Sequence, residues 1–386
     1  MMKYTITGLC LLLTLLLPTS QGANKVIFIS FDGFRHDYLD MAKRNGRNIS
    51  AFEQIRSKGF QAEVQNVMLT LTFPSHYAMA TGRNVENHGL VGNDFHDPVT
   101  KETYSYKVNS KNAESKWFEY GGAEPLWITN ERHGGRSCVF QWVGSEARIQ
   151  DKMAFATAGV YSTKYTLMWR IDRILDWISR DEFNLAMLYY NEPDSSGHRY
   201  GPDSTQVMDA VEEVNDGVAY LLQRIEQTPS LKDKINIVIS ADHGMTLVDP
   251  VSKVVNLYDK LKNSQALQDN SPATLGLWPN GTSNNITELF ELLNGTAHIS
   301  VYYKDDIPDR YHFKNNPRIA PVFAIADLGY LISTQSGGYS NLCKLLFQTL
   351  YLCCIFSNIY SSNFSYFFTQ MECTAMIMPN LICTPS

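Results

Sequence analysis

Cysteine is nearly absent from the body of the 386-residue chain. Cys138 stands alone between residues 23 and 342, Cys10 lies near the start, and Cys343, Cys353, Cys354, Cys373 and Cys383 crowd the end. The body therefore folds without a disulfide framework, and the terminal spacings match no zinc-binding pattern. Positive charge is also in short supply. Lys and Arg number 33 against 39 Asp and Glu, a net charge of −6, which argues against a nucleic-acid-binding surface. No apolar run reaches the roughly 20 residues that span a bilayer comfortably. There is no internal repeat and no long linker, and histidine is missing after His312.

The length suits one large α/β domain or two smaller ones. Residues 1–22 read as a secretory signal peptide: Lys3 gives a positive start, Leu9–Pro18 a short apolar run, and Thr19–Ala23 small residues for cleavage. Sequons at Asn48, Asn280, Asn285, Asn294 and Asn363 suit a secreted chain or one held on the extracellular face of the plasma membrane. No membrane anchor is evident, because Leu342–Phe356 is short and contains Lys344. No protein partner is indicated. Past about Ser333 the composition changes. Residues 24–335 are expected to form the domain, and residues 336–386 a divergent tail, rich in Cys and aromatics and poorly ordered.

Three apolar β-branched or aromatic runs read as buried parallel strands: Lys25–Ser30, Leu185–Tyr190 and Ile235–Ser240. Helical periodicity fills Thr163–Arg180 and the stripe Val207, Val211, Val214, Val218, Leu222 and Ile225. Ser50 and Glu53 form a capping-box pattern that opens a helix to about Lys58. Trp127–Asn130 and Cys138–Trp142 read as a strand pair. His298–Tyr303 and Val322–Ala326 read as strands. The alternation predicts an α/β fold, a mainly parallel central sheet with helices on both faces.

In such a sheet, ligands bind beyond the carboxyl ends of the strands. Asp32, Asp194 with His198, and Asp242 with His243 each follow a predicted strand, so they converge on one edge. A lone Asp-His-Gly is usually only a turn. Three acids and two imidazoles at one edge must hold protons or cations, and this donor mixture suits zinc best. Asp32, Asp242, His243 and the Thr72 hydroxyl could hold one ion, and Asp194 and His198 another. Thr72 lies at a Thr-Phe-Pro turn entering a helix. Metal coordination would make its hydroxyl a nucleophile, and Asn93 is a neutral donor suited to a developing phosphoryl oxygen.

FDGFR at 31–35, TFPSHYAMATG at 72–82, ENHGLVGNDFHDP at 86–98, PLWITN at 125–130, EPDSSGHRYGPDS at 192–204 and ADHGM at 241–245 closely resemble the ectonucleotide pyrophosphatase/phosphodiesterase family, with the wording of its fourth and fifth members. That family is alkaline-phosphatase-like. The resemblance runs from about Lys25 to about Ile332. It implies extracellular, two-zinc hydrolysis of nucleotide phosphodiester or pyrophosphate bonds through a Thr nucleophile and a nucleotidyl-enzyme intermediate. A choline-phosphodiester lipid is the alternative substrate. It implies the same metal assignment, with Asn93 as phosphate donor and Phe73, Trp142 and Tyr161 at positions where relatives hold a base. The family's third ligand to the second zinc is a His in a Gly-x-His-Gly-Tyr-Asp-Asn motif. Here Gly337-Gly338-Tyr339-Ser340-Asn341 stands instead. The chain thus reads as C-terminally truncated or misjoined, with an incomplete fold there, and a catalytically impaired secreted glycoprotein is the third alternative. His298 and His312 are not obvious substitutes.

Overall fold

A computed structural model describes residues 25–281, 285–336, 366–367 and 372–378. The predicted signal peptide, the Gly337–Asn341 segment, Asn363 and the tail cysteines other than Cys373 lie outside the described residues.

The strand Lys25–Phe31 lies at the centre of the main sheet. It pairs in parallel with Leu185–Tyr190 on one side and Ile235–Ser240 on the other. Ser137–Phe140 and then Ala156–Thr157 extend the first side, also in parallel. The strands are apolar on both faces because both faces are covered. Ile27, Ile29 and Phe31 point into one core with the helices Tyr38–Arg44, Ser50–Lys58, Leu167–Ile178 and Thr205–Gln227. Phe28, Val139 and Met187 point into a second core with Thr72–Thr81 and Leu126–Arg132. The chain has the α/β fold expected from its strand and helix order, a mainly parallel central sheet covered by helices on both faces.

The helix Thr205–Gln227 begins where Ser204 Oγ accepts from Val207 N at 3.3 Å. Its stripe runs through Val207, Val211, Val214, Val218 and Leu221, all buried, with Leu222 and Ile225 partly covered. Gly217 permits close approach to the neighbouring helix, since a Cβ there would lie 2.2 Å from Leu167 Cδ2.

Several expectations differ from the structure. Leu126–Arg132 is a helix and not a strand. Adjacent Trp127 and Ile128 both enter the second core, which a strand would send to opposite faces. The polar side of this helix is anchored by Glu131 Oε1, which accepts from Ser137 N at 2.8 Å. The capping box at Ser50 does not form. Asn48 Oδ1 accepts from Ser50 N at 3.0 Å, Asn215 Oδ1 accepts from Ala51 N at 2.9 Å, and Glu53 pairs instead with Lys43 at 2.6 Å. The tail is not wholly apart from the domain. Glu372–Met378 lies antiparallel between Phe60–Gln65 and Ile235–Ser240 in the main sheet.

A separate antiparallel sheet holds Leu267–Ser271, Thr274–Trp278, Val322–Ala326 and Ile299–Tyr303, in that order. The last two strands were legible, but they belong here and not to the main sheet. The helix Ile286–Leu293 packs on this sheet through Leu289 and Leu293. Asn285 caps that helix, and Asn48, Asn280, Asn285 and Asn294 are all exposed. No described helix is long and apolar enough to cross a membrane.

Candidate metal and phosphoryl-transfer site

All six predicted metal ligands meet at the carboxyl edge of the three central strands. Asp32 follows the central strand, and its amide donates to Tyr190 O at 2.9 Å. The Asp194 amide donates to Asp32 O at 3.0 Å, which ties the second acid to the first. Asp242 Oδ1 accepts from Gly33 N and from its neighbour His243 N, both at 3.0 Å. Gly33 has φ +66, and a Cβ there would lie 2.9 Å from Asp194 Cβ. Glycine is required on both counts. Asp194 and His198 occupy successive turns of the helix Asp194–Tyr200, with Nε2 and Oδ1 3.4 Å apart.

Thr72 is the first residue of the helix Thr72–Thr81. His76, one turn on and fully buried, donates from Nδ1 to Thr72 O at 2.8 Å, and its Nε2 lies 2.9 Å from Ser30 Oγ. Its Nδ1 is also 3.3 Å from Asp242 Oδ2. Burial holds the His76 imidazole below its ordinary pKa despite the nearby Asp242 charge. Asn66 Nδ2 donates to Asp242 O and braces the same loop.

His243 Nδ1 donates to Gly244 O at 3.0 Å. That tautomer turns the Nε2 lone pair toward Asp32 Oδ1 and Asp242 Oδ2, each at 3.3 Å, and Thr72 Oγ1 at 3.4 Å. Asp32 Oδ1, Asp194 Oδ1 and Asp242 Oδ2 are buried with no hydrogen-bond partner among the described residues. Ligand atoms of Asp32, Asp194 and His243 all lie within 4.8 Å of one another. Burial, then the Asp242 and Asp194 charges, push the Asp32 carboxyl far above the usual carboxylate range; the Tyr189 hydroxyl, donating at 2.5 Å, opposes them. Bare acceptors turned on one another are costly. A cation between them removes the cost, so these residues fit a metal.

A cleft of about 590 Å³ opens over this edge. Asn93 lines it. Its Oδ1 accepts from Phe73 N at 3.0 Å, which leaves the Nδ2 donors for a ligand. Phe73 is half-buried, with its ring 5.3 Å from that of Tyr106. Tyr161 is 41% exposed and its ring is 5.8 Å from that of Tyr189. Trp142 is only 1% exposed. Its ring packs on Phe28 and His76, and its Nε1 donates to His76 O at 3.1 Å. It forms part of the floor, and the rings with accessible surface are Phe73, Tyr106 and Tyr161. Neither His298 nor His312 lines the cleft.

Sequence reading overlooked Tyr106, Glu146, His76 and Tyr189. Tyr106 had a signal: Tyr104-Ser105-Tyr106 alternates, with Tyr104 buried and Tyr106 facing the cleft. Tyr189, inside an apolar strand, had none.

A family model described as type I phosphodiesterase / nucleotide pyrophosphatase matches residues 26–344. The chain belongs to this family. It is a hydrolase of the nucleotide pyrophosphatase/phosphodiesterase class. It is 35% identical over 330 residues to the bis(5'-adenosyl)-triphosphatase of Xenopus laevis, spanning 84% of this chain and 69% of that protein. It is 34% identical over 337 residues to human ectonucleotide pyrophosphatase/phosphodiesterase family member 5, spanning 86% and 67%. The solved structure of murine ectonucleotide pyrophosphatase/phosphodiesterase 5 aligns with a TM-score of 0.77 at 30% identity, covering 92% of this chain and 87% of that one. The murine protein is also solved as an inactive T72A variant in complex with AMP, again with a TM-score of 0.77. The family assignment and the alkaline-phosphatase-like fold agree with the motifs read from the sequence.

Proposed function

We propose that this chain is an extracellular, zinc-dependent hydrolase of nucleotide phosphodiester and pyrophosphate bonds, with Thr72 as nucleophile. The observation that carries the reading is the cluster of partnerless Asp32, Asp194 and Asp242 oxygens around Thr72 Oγ1 and His243 Nε2. Asp32, Thr72, Asp242 and His243 would hold one zinc ion, and Asp194 and His198 a second. Bound there, zinc supplies a lowered pKa for a coordinated hydroxyl and charge to offset phosphoryl oxygens.

The residues of the chain do the rest. Thr72 Oγ attacks phosphorus from the start of its helix, losing its proton. The bond to the leaving nucleotide or phosphate breaks, and that group departs with a proton. Asn93 Nδ2 donates to a non-bridging oxygen as charge builds there. Water then attacks the nucleotidyl-threonine ester, releasing the nucleoside monophosphate and restoring Thr72. Phe73 and Tyr161, with Trp142 beneath, are the aromatic groups for a base. The bis(5'-adenosyl)-triphosphatase name of one relative and the AMP bound to another support a nucleotide over a choline lipid.

The test is hydrolysis of diadenosine triphosphate by the purified secreted chain, with zinc and with a chelator. The reading expects AMP release with zinc only. No turnover with zinc present would refute it. A second reading has one observation behind it: among the described residues, His198 is the one histidine that lines the cleft, so the second ion would have Asp194 and His198 with no further imidazole. Metal analysis decides this point. Two tightly held zinc ions per chain support hydrolysis, and one or none supports a catalytically impaired glycoprotein.

A further inference from the structure

Residues 158–166 have no regular secondary structure and carry Tyr161, which lines the cleft. Among the described residues, each backbone hydrogen bond that residues 160–165 make to another part of the chain goes to a side chain. Gln141 Nε2 donates to Val160 O at 3.1 Å. Tyr161 N donates to Glu146 Oε1 at 3.2 Å. Arg170 makes two such bonds, from Nη2 to Ser162 O at 3.0 Å and from Nε to Tyr165 O at 3.1 Å. Its Nη1 donates to Tyr189 O at 2.8 Å.

Arg170 is fully buried, between the Phe140 and Tyr190 rings, and no carboxylate pairs with it among the described residues. Burying a cation without a counter-ion costs several kcal/mol even after relaxation. An apolar residue would fill that space on the helix Leu167–Ile178 at lower cost. What an apolar residue cannot do is grip three carbonyls at once. The fork of the guanidinium does this, and the carbonyls belong to the wall and to the end of a central strand. The Tyr161 ring also packs against the Tyr189 ring, with centroids 5.8 Å apart. The Tyr189 hydroxyl in turn donates to Asp32 Oδ2.

We propose that Arg170 is a positioning residue that sets Tyr161 on the cleft wall and, through Tyr161 and Tyr189, keeps that wall in register with Asp32. Its kinetic consequence rests on the reading of the cleft as a nucleotide site; its structural consequence does not. The experiment compares the full chain with Arg170→Lys and Tyr161→Phe. Two readouts are used: steady-state kinetics with diadenosine triphosphate, and amide hydrogen exchange. Lysine keeps the charge but cannot span three carbonyls. Arg170→Lys should raise KM about tenfold with kcat changed less than about threefold, since misplacing a positioning group weakens binding of ground and transition states alike. Exchange should accelerate at residues 160–165 and stay unchanged in the central strands. Tyr161→Phe keeps the ring and the fold, and should raise KM by about threefold with a smaller local rise in exchange. Unchanged exchange at 160–165 in both variants would overturn the proposal. So would faster exchange throughout the sheet in Arg170→Lys with Tyr161→Phe silent, because that marks Arg170 as merely structural. If the wild-type chain turns over no nucleotide, the functional reading fails, and exchange still decides the positioning role.

Discussion

The two sides of the cleft are built in different ways. On the metal side, every candidate ligand sits within a few residues of a strand end or in the first two turns of a helix. Asp32 and Asp242 directly follow their strands, and Asp194 is tied to Asp32 by one backbone hydrogen bond. On the other side, Asn93 and Tyr106 flank one short hairpin and share a backbone hydrogen bond, while Glu146 and Tyr161 come from two further loops held by side chains such as Arg170 and Gln141. A strand end fixes a residue by local pattern. A wall made of loops is fixed by contacts between residues far apart in the chain. The strand-end side of the cleft is thus fixed by local pattern, and the loop side by long-range contacts.

The comparison can be broken first at the metal side. Asp32→Asn should lower kcat/KM by about 10³-fold or more, in line with losing a group that acts only in a complete constellation. It should also weaken a stability effect. Removing metal from the wild-type chain leaves Asp32, Asp194 and Asp242 uncompensated, so chelation should lower Tm. With Asn at position 32 the cluster repels itself less, and chelation should change Tm less. Differential scanning fluorimetry with and without chelator reads this directly, and equal chelator-induced shifts in both proteins would count against the metal site.

Gly33→Ala is expected to be intermediate. The added Cβ meets Asp194 and the backbone is left-handed there, a strain of about 1–3 kcal/mol. Zinc content should fall along with Tm, since relief of the clash moves Asp194. On the wall side, Phe73→Ala should raise KM by about tenfold, a loss of the order expected for one aromatic contact, and leave zinc content unchanged. A variant of the wall that lost zinc, or a ligand variant that only raised KM, would erase the distinction between the two sides.

The smallest expected effect concerns Asp269, on the antiparallel sheet. It accepts from Trp278 Nε1 at 2.6 Å and His96 N at 2.9 Å, and so joins that sheet to the strand Asp94–Asp97 that follows Asn93. Burial pushes its carboxyl from 3.8 up to about 7. The folded form therefore holds the proton more tightly than the unfolded one. The stability this confers is full below about pH 4 and is lost as pH rises through about 7. Thermal unfolding from pH 4.5 to 8 should show a Tm decline that is steeper in the wild type than in Asp269→Asn, by a few degrees at most.

Legibility followed the same division. The parallel strands, the long helices and the convergence of Asp32, Thr72, Asp194, His198, Asp242 and His243 on one sheet edge could be read because each depends on a short stretch of sequence: an apolar run, a period, an acid at its end. Trp127–Asn130 was misread because a three-residue apolar run fits a strand or a helix equally well. The capping box at Ser50 failed because the helix is capped one residue earlier, so that the Glu53 amide donates to Ile49 O and the Glu53 side chain pairs with Lys43, while Asn215, far along the chain, accepts from the amides of Ala51 and Phe52. Trp142 looked like a ligand-facing ring, and only packing against Phe28 and His76 shows that it lies under the cleft. Tyr189 and Arg170 acquire their roles from neighbours that no local pattern announces.

The central claim is that the strand-end acids make Thr72 a nucleophile. Acid quenching during turnover of diadenosine triphosphate, followed by peptide mass spectrometry, tests it most directly. The account predicts an adenylyl group on the peptide that contains Thr72, present with zinc and absent after chelation or in Thr72→Ala. Steady turnover with no adduct on that peptide, or turnover retained by Thr72→Ala, would contradict it.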